Sequence, residues 1–83
     1  MTQPSIISLA KLASREKGTM IELRGGAHFV SRMATLGFTP GASLTMVQNF
    51  GHGPLIVLIR DARIALGRGE ANKIRVRKRN HHG

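Results

Sequence analysis

Apolar positions along this chain change their period several times, and each change predicts a different element. Thr19 to Leu23 reads as a strand, with Met20 and Ile21 on opposite faces and Lys17-Gly18 as the turn before it. Phe29, Met33 and Leu36 then recur at helical spacing, which predicts a helix from Ala27 to Leu36 introduced by a tight turn at Gly25-Gly26. Spacing two returns in Ser43 to Phe50, Leu55 to Arg60 and Arg63 to Leu66, divided by Gly51-His52-Gly53-Pro54 and by Asp61-Ala62. A last strand is expected at Ile74 to Lys78, after a Gly67 to Asn72 loop holding one short helical turn. Ser5 to Leu12 fits a strand and a turn of helix equally well. The unbroken apolar run Leu55 to Ile59 predicts the central strand, and Leu44, Met46, Ile64, Leu66, Ile74 and Val76 supply further inward positions.

The sharpest local signal lies between Arg32 and Gly41. Gly37 stands where the helix must turn into the left-handed region, and a Schellman-type cap folds Phe38 back on Met33. Pro40-Gly41 then forbids helix and supplies turn chemistry before the next strand. The expected fold is therefore mainly β: a small, bent five-stranded barrel, with one helix after the first strand and a helical turn before the last.

Size and charge narrow what such a fold can do. At 83 residues the chain forms one domain that buries little more than roughly 60% of its extended surface, too little for a deep catalytic cleft. It has no cysteine, so no disulfide can staple it, which fits a reducing, cytoplasmic setting. No apolar run approaches the roughly 20 residues of a membrane span, so direct membrane insertion is not expected. Net charge is +9, from thirteen Lys or Arg against four acids. Arg75, Arg77, Lys78 and Arg79 crowd the C-terminus with His81 and His82 beyond, yet the remainder stays clearly basic. Such a field favours anionic partners without naming one. Single-stranded nucleic acid is the weaker candidate, because base stacking needs exposed rings and only Phe29, Phe38 and Phe50 are present.

The order of the motifs resembles the ferrous iron transport protein A (FeoA-like) family, small proteins with an SH3-like barrel. The resemblance runs through Leu9-x-x-Leu12, Gly18, Ile21-x-Leu23 before Gly25-Gly26, and Arg32-Met33-x-x-Leu36-Gly37-Phe38-x-Pro40-Gly41. It continues through Gly53-Pro54-Leu55-x-Val57, Ile64-Ala65-Leu66 and Glu70-Ala71-x-x-Ile74-x-Val76. Two departures stand out. The family commonly has glycine where Asp61 sits and a charged residue where Gly67 sits. The organisation expected from it is a flexible lead over 1–8, an SH3-like barrel over 9–76 and a basic, disordered tail over 77–83.

That resemblance implies a non-enzymatic, cytoplasmic accessory of ferrous iron uptake. Its expected partner is the iron permease with its cytosolic GTPase domain, which would hold it at the inner face of the plasma membrane. A similar barrel ends iron-dependent transcriptional repressors, but residues 1–8 leave no space for a helix-turn-helix domain ahead of it. Candidate partner-binding residues are Arg32, His52, Arg60, Arg63 and Arg68, while Gly25, Gly26, Met33, Gly37, Phe38, Pro40 and Gly41 form the structural motif. The alternative is a basic barrel that binds nucleic acid through Arg60, Arg63, Arg68, Arg75, Arg77 and Arg79. An unmatched strand edge would also allow self-association.

Metal and catalytic chemistry find little support. His28, His52, His81 and His82 are the candidate ligands, and none is spaced i, i+4 or joined by clustered acids, so no tight cofactor is expected and iron or zinc binding would be weak. No cysteine nucleophile exists, Ser31 and Ser43 lack the spacing of an activating base, and the four acids are scattered.

Overall fold

A computed structural model of the chain describes residues 5–79. Six strands form one antiparallel sheet: β1 (Ile6–Ser8), β2 (Lys17–Leu23), β3 (Ser43–Gln48), β4 (Leu55–Ile59), β5 (Ala62–Leu66) and β6 (Ile74–Lys78). Helix α1 (Ala27–Thr35) follows β2, the short α2 (Arg68–Ala71) precedes β6, and Leu9–Lys11 is a 3₁₀ turn. The strand order is β1-β6-β2-β3-β4-β5. Register shifts at Ile21 in β2 and Val47 in β3 each insert one extra residue, and such bulges bend the sheet around its inner face. That face encloses a single apolar cluster with Leu9, Leu12, Met20, Met33, Phe38, Leu55, Val57, Ile74 and Val76 at its centre.

The α1 terminus forms as its sequence predicts. Phe38 N–H donates to the Met33 carbonyl at 3.0 Å and Gly37 N–H to the Ala34 carbonyl at 3.0 Å, the paired bonds of a Schellman cap. Gly37 takes φ +107°, which side chains resist, and Phe38 and Met33 are both buried beside it.

Several expectations need correction. The first is the strand count, six instead of five, so α1 follows the second strand. Ile6–Ser8 lies inside the expected flexible lead, yet it pairs with β6, Ile7 opposite Val76. Three residues carry no readable period; what fixes them is a partner about seventy positions away. Arg77, opposite Ile6, and Lys78, opposite Gly18, belong to β6, so that strand runs past the expected boundary at 76 and joins the expected lead to the barrel through β1. Ser5 to Leu12 resolves into both of its alternatives, a strand and then a 3₁₀ turn capped by the Ser8 hydroxyl, which accepts from Ala10 N–H at 3.0 Å. Lys17-Gly18 is strand and not turn, and a Cβ on Gly18 would stand 3.3 Å from the Arg77 carbonyl oxygen.

The Leu55 to Ile59 run is not central. β4 is next to the edge strand β5, and its apolar residues alternate between a buried set (Leu55, Val57, Ile59) and an outward set (Ile56, Leu58). Unbroken hydrophobicity here reflects an apolar outer face, and Ile64 is only partly buried. The β4–β5 turn also sits one residue earlier than expected, with Ile59 opposite Ala62 and only Arg60 and Asp61 between. Both have positive φ, 50° and 63°, the type I′ geometry that fits the twist of a two-residue hairpin.

Candidate functional site

Two groups of basic side chains stand out among the thirteen Lys and Arg of the folded chain. The first surrounds the two helices and is occupied internally. Arg32, one turn after Phe29 on α1, pairs with the Glu70 carboxylate of α2 and lies 6.0 Å from the Phe29 ring centroid. Lys73 Nζ stands 5.1 Å from the same centroid. Gly25 completes this arrangement, since a Cβ there would stand 2.9 Å from the Phe29 ring. Glu70 also accepts from Gly67 N–H at 3.0 Å; that bond, joined by Arg32, holds its carboxyl below the usual value of 4.5.

Arg68 of α2 is still more committed. It donates to Asn49 Oδ1 at 2.6 Å, to the Gly53 carbonyl at 3.3 Å and to the Ala10 carbonyl at 3.4 Å. Asn49 in turn donates to the Ala10 and Leu12 carbonyls at 2.9 and 2.7 Å. This network ties α2 and the 3₁₀ turn to the β3–β4 loop, so Arg68 is a fastener of the fold. Arg32 likewise faces Glu70.

The second group lies at the β4–β5 hairpin end of the sheet. Here a groove of about 240 Å³ is lined by Lys17, Ser43, Leu44, Thr45, Leu58, Arg60, Asp61 and Arg79. Register explains the gathering: Lys17 is opposite Thr45, Thr45 opposite Leu58 and Leu58 opposite Arg63, one row across the outer face of four strands. Arg79 N–H donates to the Lys17 carbonyl at 3.0 Å, which places Arg79 beside that row. Arg60 Nη2 reaches Thr39 Oγ1 at 3.4 Å, and its stem lies against Gly37, where a Cβ would come within 3.0 Å of Arg60 Cδ. The glycine that caps α1 therefore also makes room for a groove residue.

Among the described residues the acids are already distributed. Glu16 pairs with Lys78, Glu22 with Arg24 and Glu70 with Arg32, which leaves Asp61 as the single acid at the groove and Lys17, Arg60, Arg63 and Arg79 without an acidic partner. Lys78, helped by Ala13 N–H, holds the Glu16 carboxyl below its usual value.

Of the five arginine and histidine candidates, the structure joins Arg60 and Arg63 on one hairpin, half-buries Arg68 in its own hydrogen-bond network, engages the exposed Arg32 with Glu70, and leaves His52 exposed in the β3–β4 loop. His28 is exposed at the start of α1, and His81 and His82 lie outside the described residues. Among the described residues no three His, Cys, Asp or Glu side chains gather as a metal-ligand set. Sequence reasoning missed Lys17 and Leu58, and named Arg79 only for the nucleic-acid alternative. Spacing two put Leu58 on the outer face, but only strand register sets it beside the other two.

Comparison with known proteins fits this architecture. The FeoA domain family matches residues 7–78. The chain belongs to the FeoA family. A crystal structure of an iron uptake regulatory protein (FeoA) superimposes with TM-score 0.84 at 28% identity, covering 89% of this chain and 99% of that one. Stenotrophomonas maltophilia FeoA, solved with zinc and described as a procaryotic SH3 domain protein, gives 0.76 at 27% identity, covering 84% and 88%. A manganese-dependent transcriptional repressor gives 0.81 at 20% identity; 94% of this chain matches 44% of that one, a likeness of fold. No curated protein matches. Family membership supports a role in ferrous iron transport and makes the fold an SH3-like barrel of six strands. No helix among the described residues of this FeoA-family protein is long and apolar enough to cross a membrane.

Proposed function

We propose that this FeoA-family protein is a non-enzymatic accessory of ferrous iron uptake that works by docking on the cytosolic GTPase domain of the iron permease. The observation that carries the reading is the family match over residues 7–78, on a body that gathers Lys17, Arg60 and Arg79, none with an acidic partner, at one end of its sheet. Small SH3-like barrels offer surface and little cavity, which suits a binding module better than a catalyst. Docking would keep the protein at the inner face of the plasma membrane through its partner. Resident metal has no part in this proposal: His28 and His52 are exposed on separate elements with no acid cluster beside them. The zinc in the Stenotrophomonas relative makes weak iron or zinc binding testable by equilibrium dialysis of full-length protein beside a 1–79 truncation.

Pull-down of the permease's cytosolic domain tests the proposal, with retention expected at low salt and weakened as ionic strength rises. A second reading, nucleic-acid binding, is favoured by the outward Lys17, Arg63 and Arg77. Against it, Phe29 and Phe38 are buried, which leaves Phe50 as the one exposed ring. RNA or DNA retention at physiological salt while the permease domain is not retained would favour this second reading.

A further inference from the structure

We infer that the groove at the β4–β5 hairpin is the docking site of an acidic, extended protein segment that carries an aliphatic side chain among its carboxylates. The inference rests on the reading above and adds to it the site and the chemistry of the occupant.

Three observations converge. Lys17, Arg60 and Arg79 line one groove and have no acidic partner, while three of the four acids are spent on Lys78, Arg24 and Arg32 elsewhere. Arginine forks and the Ser43 and Thr45 hydroxyls are donors matched to carboxylates. The groove is also partly apolar, lined by Leu44 and by Leu58, which is 36% exposed on an otherwise polar row. An isolated ion would leave that leucine unused, whereas a peptide with a leucine or valine between acids would cover it. At about 240 Å³ the groove is below the usual range of small-molecule pockets and suits one or two side chains of a larger partner. Polynucleotides fit less well, because the ring they would stack on, Phe50, is not among the lining residues.

One of the cations is also pre-arranged. Arg60 is held between Gly37 and Thr39, so less of its side-chain freedom is lost on binding, and the Arg79 backbone is fastened to Lys17, which fixes where its side chain starts. Asp61 opposes an acidic occupant at the groove edge, and its removal gives a test with the opposite sign.

The test uses full-length protein and two probes: the permease's cytosolic domain, and a blocked synthetic peptide with one leucine flanked by glutamates. Binding is read by calorimetry for the domain and by ¹⁵N–¹H spectra for the peptide. Arg60→Gln with Arg79→Gln is expected to weaken both about tenfold or more at low salt. Leu58→Thr should weaken both a few-fold with little salt dependence, and Asp61→Asn, which tolerates positive φ, should tighten both. Arg32→Gln should leave both unchanged. Peptide shifts that saturate at Lys17, Ser43, Thr45 and Arg60 and vanish in the double variant support the inference. Shifts no larger than equal ionic strength of sodium chloride, or RNA that protects these residues while the peptide does not, overturn it. If the domain binds wild type and double variant equally, the accessory reading stands and the groove inference falls. If only the peptide binds, the groove inference stands and the permease reading falls.

Discussion

The helix side and the hairpin end of this barrel carry similar side chains and use them in opposite ways. Around α1 and α2, Arg32 pairs with Glu70, Lys73 stands over Phe29 and Arg68 holds three acceptors, so each cation there serves the fold. At the hairpin end, Lys17, Arg60, Arg63 and Arg79 have no acidic partner, and one of them is even held in an unfavourable backbone region. Basic composition is thus no guide to function until each charge is traced to its partner. An arginine already bound three times has little left for another molecule.

Changes on the helix side should cost stability first. Met33→Ala removes a buried side chain under the Schellman cap and is expected to destabilise by about 2–5 kcal/mol in chemical denaturation. Arg68→Ala should cost about 1–3 kcal/mol, because it removes three charge-assisted hydrogen bonds, although Gly51 N–H still serves Asn49 Oδ1 and Asn49 still serves the Ala10 carbonyl. A cost near zero would mean that the fastening is not structural. Gly37→Ala belongs with these by strain, and it also presses on Arg60, so circular dichroism should show a lower melting temperature than wild type.

Substitution at the hairpin end should have the reverse sign. Asp61→Gly relieves a positive φ and is expected to stabilise by about 0.5–1 kcal/mol, which thermal melts would detect. The smallest effect is on acid stability. Glu16 and Glu70 have folded-state pKa values below their usual 4.5, so their contribution is fully present above that value and is lost as pH falls through the folded values. Lys78→Ala should flatten the part of this acid-side decline due to Glu16, as followed by denaturation at pH 3 to 7. Exposed pairs of this kind are each worth under about 1 kcal/mol.

The two regions also differ in how much of them can be read from the sequence. The α1 cap is legible because Met33, Gly37, Phe38 and Pro40 act within a few residues of one another, through backbone chemistry that requires those types. β1 is not, since Ile6–Ser8 becomes a strand only through β6. The Arg68–Asn49 contact joins positions 19 apart, and no local pattern marks either residue as a fastener. The groove sits between these cases. Arg60 and Arg63 stand out from their place around a turn, whereas Lys17 and Arg79 join them only through the β2–β3 register and a backbone bond across to β2. Family resemblance carried the fold and the iron-transport role, and at the groove edge this chain departs from the common pattern with Asp61.

Hydrogen exchange on the complex with the permease's cytosolic domain separates the two regions most directly. Slowed exchange across Ser43–Thr45 and Leu58–Arg63, with α1 unchanged, is the predicted result. Protection confined to α1 and α2, with the hairpin exchanging as in the free protein, would contradict the division of labour between the two faces.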